Sequence, residues 1–260
     1  MIRIAFFGSH DLGVACLDRL RAHEDVSVDL VVTYAADADT WWDASVREYA
    51  ESHLDCPVLP LAREAEVLDY DIDYLLSVYH TNVLGPELLD HPDEAALNLH
   101  QAELPRYRGS NVFSHAIMNA REDDYWQYGT TFHVMAEDVD AGDVVARSFV
   151  DITEDDTSRS LYEKTTEASI ELFEDALPLL VERRVADART PQTAFDGPRY
   201  FYSKDSLDGT KEIPAERLGD PAHADAVYDR IRALDFPPHE PAYTRLDGRK
   251  VHLTTGRHGD

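Results

Sequence analysis

Asn98 and His100 stand two residues apart at the end of the apolar run 95–99, just before the loop Gln101-Ala102-Glu103-Leu104-Pro105-Arg106-Tyr107-Arg108-Gly109. In a β-strand, residues i and i+2 point to the same side, so the amide and the imidazole share one face. Some forty residues later the carboxylate-rich turn Glu137-Asp138-Val139-Asp140-Ala141-Gly142-Asp143 separates two strand-like runs. An amide donor, an imidazole and a carboxylate are the parts needed for acyl transfer through a charged tetrahedral intermediate. An enzyme is the leading reading. For Asn98 and His100 alone, the alternative is a polar pair that satisfies a turn.

Such a set needs a sheet to position it. Residues 2–8 read as a buried first strand, followed by the turn Gly8-Ser9-His10-Asp11 and a helix carrying Leu12, Ala15, Cys16, Leu17 and Leu20 at helical spacing. Further strands are expected at 26–33, 57–61, 72–79 and 95–99, with helices over 40–54 and 84–89. This alternation implies an α/β fold: an open, mostly parallel twisted sheet with helices on both faces. Ligands of such sheets lie beyond the carboxyl ends of the strands, so Asn98, His100 and residues 77–84 are expected along one crevice. A helix follows over 110–120, then strands at 129–135 and 144–152 around the acidic turn. A long helix over 157–184 is expected, with Thr157 as N-cap and a kink at Pro178. Residues 191–219 are loop-rich, 222–234 read as a helix, and 242–246 and 249–254 flank Asp247-Gly248, a type I′ hairpin signal. Two units are therefore expected: 1–190 holding the site, and 191–260 as a small α+β appendage of a helix and a hairpin.

The net charge of −27 comes from 24 basic and 51 acidic residues. Such charge opposes association with nucleic acid or anionic lipid. Only four lysines occur, at 164, 204, 211 and 250. An acidic, lysine-poor surface reads as adaptation to high salt, where a Debye length of about 3 Å at molar ionic strength screens the self-repulsion. No apolar run is long enough for a membrane span, and the start lacks the pattern of a signal peptide. Cys16 and Cys56 are isolated and show no metal spacing. A cytoplasmic protein is expected. Asp138, Asp140 and Asp143 alternate like calcium ligands, but the 12-residue loop with a terminal Glu is missing, so no metal is expected.

The arrangement closely resembles the folate-dependent formyltransferases, a family that includes glycinamide ribonucleotide formyltransferase, methionyl-tRNA formyltransferase, nucleotide-sugar N-formyltransferases and formyltetrahydrofolate deformylase. The family pattern is Asn-x-His-x-Ser-Leu-Leu-Pro-x-x-Arg/Pro-Gly, then Gly-x-Thr-x-His, then a hydrophobic-Asp-x-Gly segment. This chain supplies Asn98, His100, Leu104, Pro105, Arg108 and Gly109, then Gly129, Thr131 and His133, then Val139-Asp140-Ala141-Gly142. It departs from the pattern at Ala102-Glu103, on the acceptor side of the family's site. The resemblance spans roughly residues 1–185.

That resemblance implies a catalytic set of Asn98, His100 and Asp140 acting on 10-formyltetrahydrofolate. Asn98 and protonated His100 would donate to the formyl oxygen as charge develops there, and Asp140 would relay the proton lost by the attacking amine. It places Tyr79, His80, Val83 and Leu84 in the loop lining the folate, with Asp138 and Val139 opposite. Gly8, Ser9 and Gly109 fall on the acceptor side. Arg106 and Arg108 are candidates for phosphate contact or for bracing their loop. His133 fits a supporting or structural role.

The acceptor is read from the tail. Some seventy residues follow position 190, fewer than the tRNA-gripping barrel of methionyl-tRNA formyltransferases needs. Arg199-Tyr200-Phe201-Tyr202-Ser203-Lys204-Asp205 and the stretch around Phe236-Pro237-Pro238 look most like the tails of sugar N-formyltransferases, which modify nucleotide-linked amino sugars for surface glycans. The expected partner is a nucleotide-linked amino sugar, with no membrane or nucleic acid, and a homodimer is compatible. The alternatives are another member of the family, methionyl-tRNA formyltransferase included, or a non-enzymatic folate or nucleotide sensor on the same fold. Tyr200, Tyr202 and Phe236 either bind sugar or base faces or form a compact aromatic core, and Trp41-Trp42 reads as packing.

Overall fold

Alternation along the first strand sets the layers around it. A computed structural model describes residues 1–256. In β1 (Ile2–Gly8), Ile2, Ile4 and Phe6 pack on one face with Leu12, Leu17 and Leu20 of α1 (His10–Ala22) and Phe173, Leu177 and Leu180 of α5 (Ser158–Val181). Ala5 and Phe7 point to the other face, where they meet Leu30, Val32, Leu75 and Leu84. Period-2 side chains buried on both sides are what a central strand of an α/β sheet requires.

The remaining elements are β2 (Val26–Thr33), α2 (Val46–His53), β3 (Val58–Pro60), β4 (Tyr74–Val78), α3 (Pro86–Leu89), β5 (Ala95–His100), β6 (Tyr107–Gly109), α4 (Val112–Glu122), β7 (Gln127–Val134), β8 (Val144–Asp151), α6 (Val185–Ala188), β9 (Tyr200–Tyr202), α7 (Ala215–Leu218), α8 (Ala224–Ala233), β10 (Ala242–Leu246) and β11 (Arg249–Leu253). The main sheet runs β3-β2-β1-β4-β5-β7-β8. Its first five strands are parallel, and β7 pairs antiparallel with both β5 and β8. Strand order reverses at β1, so the switch-point crevice opens beyond β1 and β4. There the Ser9 amide donates to Val78 O at 3.1 Å and its hydroxyl to Tyr79 O at 2.6 Å.

Three expectations need correction. The helix expected over 40–54 is only α2: the Ser45 hydroxyl accepts from the Glu48 amide at 3.2 Å and starts it there, leaving the Trp41-Trp42 segment irregular. The long helix does begin at Thr157, in a reciprocal capping box with Ser160, but ends at Val181 rather than 184, with Pro178 in its final turn. The tail carries the expected α8 and the β10–β11 hairpin, whose Asp247 and Gly248 have φ of 49° and 76°, both positive as a type I′ turn demands. However, residues 200–202, expected as loop, form β9, which pairs parallel with β6. Three residues are too few for alternation to show. Tyr200, Tyr202 and Ala233 of the tail pack with Tyr107, Val112 and Tyr128 of the segment before it. The last four residues of the expected appendage lie outside the described residues. No helix among the described residues is long and apolar enough to cross a membrane.

Candidate active site

Antiparallel register brings the first contacts together. Asn98 of β5 lies opposite His133 of β7, and His100 opposite Thr131. His133 Nδ1 is 2.8 Å from Val134 O, a carbonyl that can only accept, so Nδ1 carries the proton. Its Nε2 is therefore an acceptor, and Asn98 Nδ2 donates to it at 3.2 Å. That bond settles which end of the Asn98 amide is which and leaves a second N–H on Nδ2 for a ligand. His100 Nε2 donates to Tyr107 O at 3.1 Å, so a second proton on this ring resides on Nδ1. The other members of the Gly-x-Thr-x-His run also have local reasons. Thr131 donates to Ala102 O at 2.8 Å and accepts from the Leu104 amide at 3.0 Å, holding the turn that follows His100. A Cβ on Gly129 would come within 2.8 Å of Ser148 O and 3.3 Å of Glu103.

Asp140 enters from the loop between β7 and β8. Its two carboxylate oxygens lie 3.7 Å from His100 Nε2 and 3.7 Å from His133 Nε2, and Oδ2 accepts from the Gly109 amide at 2.8 Å. Burial pushes its pKa up, but His100, the Gly109 N–H and Arg108 counter this and hold it below the usual carboxylate range. Burial pushes the His133 ring down to about 4 against the pull of Asp140. The cluster is thus an anionic Asp140 beside a neutral His133, with Asn98 and His100 on one strand face. An amide donor, an imidazole and a carboxylate so placed can stabilise an oxyanion and move a proton.

Several predicted residues serve the protein itself. Arg108 donates twice to Val139 O, at 2.9 and 2.6 Å, and so braces the Asp140 loop. Arg106 is buried against Asp123 at 2.7 Å and lies 4.0 Å over the Tyr125 ring. Gly109 has φ of 87°, and a Cβ there would sit 2.1 Å from Tyr202 O, so only glycine fits between β6 and β9. Ser9 is spent on Tyr79 O, and a Cβ on Gly8 would meet the Phe6 ring. Tyr79 stacks on His10 at 4.2 Å and its hydroxyl donates to Gln101. His80 bonds Glu64 at 2.8 Å, Leu84 is in the core, and Val83 and Asp138 are exposed. The Ala102-Glu103 departure is absorbed internally: Ala102 is fully buried and Glu103 accepts from Tyr125 OH at 2.9 Å. Trp42 stacks on His10 at 3.6 Å, Trp41 meets Tyr162 and Phe236 edge-on, and Tyr202 stacks on His115 at 3.5 Å. These aromatic groups are built into packing.

One contact had no sequence signal. Gln192, beyond the expected catalytic unit, donates to Asp140 O and Gly142 O, both at 2.8 Å. A cavity of about 300 Å³ lies between α3, the start of β5 and residues 134–137, lined by Pro86, Leu89, Ala96, Met135 and Glu137. A larger hollow of about 470 Å³ lies between α4 and α8; neither space is lined by a cluster residue, but the smaller one includes Val134 and residues 135–137, which run from His133 into the Asp140 loop. Among the described residues, no group of three or more His, Cys, Asp or Glu is placed to hold a metal ion.

The buried rings carry a pH consequence. Burial lowers His10 to about 3 and His115 and His133 to about 4, against 6.5 for a free ring. Folded values below the unfolded one mean that the folded state binds fewer protons. The stability these rings contribute is complete above about pH 6.5 and is lost as pH falls toward their folded values. Asp140, also depressed, adds its loss only below the ordinary carboxylate pKa of about 4. The thermal midpoint is expected to fall between about pH 7 and pH 5, ahead of carboxylate protonation. A midpoint flat across that range in scanning calorimetry would mean that these rings are not held neutral.

Residues 2–177 match the family described as formyl transferase. A methionyl-tRNA formyltransferase of Bacillus thuringiensis subsp. konkukian is 29% identical over 98% of this chain and 79% of its own length. A sugar N-formyltransferase of a Shewanella species superposes with a TM-score of 0.75 at 20% identity, over 98% of this chain and 97% of that one. An N-formyltransferase of Helicobacter canadensis, solved with folinic acid and dTDP-3-aminofucose, gives 0.75 at 18%, over 96% and 86%. At these identities the two solved structures speak to the fold.

Proposed function

The chain belongs to the formyl transferase family, and from that premise we propose that it moves a formyl group from 10-formyltetrahydrofolate to the amino group of a nucleotide-linked amino sugar. The observation that carries the chemistry is the Asn98–His133–Asp140–His100 cluster, in which every fixed polar contact leaves a donor or a base for substrate. The acceptor amine attacks the formyl carbon. The free N–H of Asn98 and the charged ring of His100 stabilise the oxyanion that forms. Asp140 stabilises the charge on His100 and takes the amine proton, directly or through a water. The tetrahedral intermediate then collapses as the bond to the folate nitrogen breaks, and that nitrogen leaves as tetrahydrofolate, with a proton returned to it. The cavity of about 300 Å³ beside residues 134–137 supports a donor site next to the Asp140 loop.

The sugar acceptor is supported by the match to the Shewanella enzyme through 98% of this chain, tail included, and by the aminosugar bound to the Helicobacter protein. A charge of −27 also disfavours a polyanionic acceptor. The second reading is the initiator tRNA, which the 29%-identical relative's name favours. The deciding assay follows tetrahydrofolate release with dTDP- and UDP-linked amino sugars, glycinamide ribonucleotide and methionyl initiator tRNA in parallel. Turnover is expected with the sugar nucleotides. Formylation of the tRNA alone would refute the sugar acceptor but not formyl transfer. Running the assay from low to molar KCl tests the adaptation to high salt, for which rate and stability both rise with salt.

A further inference from the structure

We infer that Gln192 is a positioning residue for Asp140: by donating both amide N–H groups to the backbone of the acidic turn, it sets where the Asp140 carboxylate stands relative to His100. The inference rests on the catalytic reading of Asp140 above. Asp140 has φ of 51°, in the left-handed region that a residue with a Cβ enters at some cost, though Asp at less than most. The turn does little to hold it there itself, with an Ala141 N to Asp138 O bond of 3.2 Å inside it. Gly142 closes against the end of β7, where a Cβ would lie 1.9 Å from Val134 O.

The turn is held from outside. Gly109 N–H fixes the carboxylate, Arg108 fixes Val139 O, and Gln192 takes the carbonyls of Asp140 and Gly142. A primary amide has two N–H groups in one plane, so a single Gln192 side chain spans these two carbonyls and fixes their relative orientation. Gln192 is itself rigidly seated. It is buried, its own carbonyl accepts from Arg199 at 2.9 Å, and two residues earlier Thr190 exchanges both backbone bonds with Val144, at 2.8 and 2.9 Å. The segment following α6 thus extends the sheet beside the first residue of β8 and delivers an amide to the turn. The charged and titratable groups facing the Asp140 carboxylate are His100 from β5, His133 from β7 and Arg108 from β6.

The test compares Gln192→Met, of similar length with no donors, and Gln192→Glu, which sets a carboxylate against two carbonyls. Misplacing the catalytic carboxylate is expected to lower kcat by about 10–100-fold in Gln192→Met and further in Gln192→Glu. KM for the acceptor should stay within about twofold, because the acceptor does not bind through Gln192. Hydrogen exchange in the free protein should quicken over residues 136–143 and not in β1 or β4. Exchange needs no substrate, so it tests the clamp even if the sugar acceptor is wrong; a wild-type enzyme inactive on every sugar nucleotide would count against that acceptor alone. If Gln192→Met fails to fold, Gln192→Asn, an amide on a stem one carbon shorter, carries the same comparison. The inference is overturned if kcat stays within about threefold of wild type, if KM rises at constant kcat, or if exchange over 136–143 is unchanged or quickens throughout.

Discussion

His100→Ala is expected to lower kcat for formyl transfer by about 10²–10³-fold, the usual cost of losing one donor to a developing oxyanion. The side chain is partly exposed and its one fixed bond goes to the Tyr107 carbonyl, so the thermal midpoint should change little. Asn98→Ala should cost a similar factor, because it removes the Nδ2 donor that His133 orients. Asp140→Asn keeps an oxygen for the Gly109 amide but loses the charge beside His100, and should fall in the same range. If these groups act as one unit, the double variant His100→Ala/Asp140→Asn will lose far less than the product of the single losses. Steady-state kinetics on purified variants read all of this. A His100→Ala enzyme within about tenfold of wild type would remove His100 from the role given to it.

The second large effect is on stability. Arg232 of α8 is fully buried and donates to Asp229 at 2.9 Å, Thr153 O at 2.9 Å and Asp156 O at 3.0 Å. Those two carbonyls belong to the turn leading into α5, so Arg232 ties the tail to the helix that covers the sheet. Arg232→Met is expected to cost about 3 kcal/mol, because it leaves a buried carboxylate with one of its two arginine partners and the Asp156 carbonyl without its donor, while Thr153 O keeps the Asp156 amide at 3.2 Å. Asp229 keeps its bond to Arg121 at 2.8 Å, which limits the loss. For a chain of this size the midpoint should drop on the order of 10 °C. Calorimetry decides, and a drop of only a degree or two would show that water replaces these bonds at no cost.

Much of the fold was legible because it is local or periodic. The run 2–8 alternates two apolar faces, Thr157 precedes an apolar helical stripe, and Asp247-Gly248 can form one tight turn. Each of these appears where expected. The β9 strand was not legible, since three aromatic residues after Pro198-Arg199 have no period, and only the neighbouring edge of β6 makes them a strand. The two loop arginines were equivalent on paper. Their neighbours separate them, Arg106 turning to Asp123 and Arg108 to Val139.

By itself the sequence determined that Asn98 and His100 share a strand face and that a carboxylate-rich turn follows them. Covalent geometry and side-chain period are enough for that, because they act over a few residues; the reaction came from the resemblance of these residues, in order and spacing, to the formyltransferase pattern. Only the tertiary structure decided that His133 orients Asn98, that Asp140 stands between two imidazoles, and that Gln192 holds the turn from beyond the matched segment. Each of those is a polar group finding its partner in a segment distant along the chain. Such pairings follow from the cost of leaving a donor or acceptor unmet in the interior, and that cost depends on which segments the packed sheet brings together.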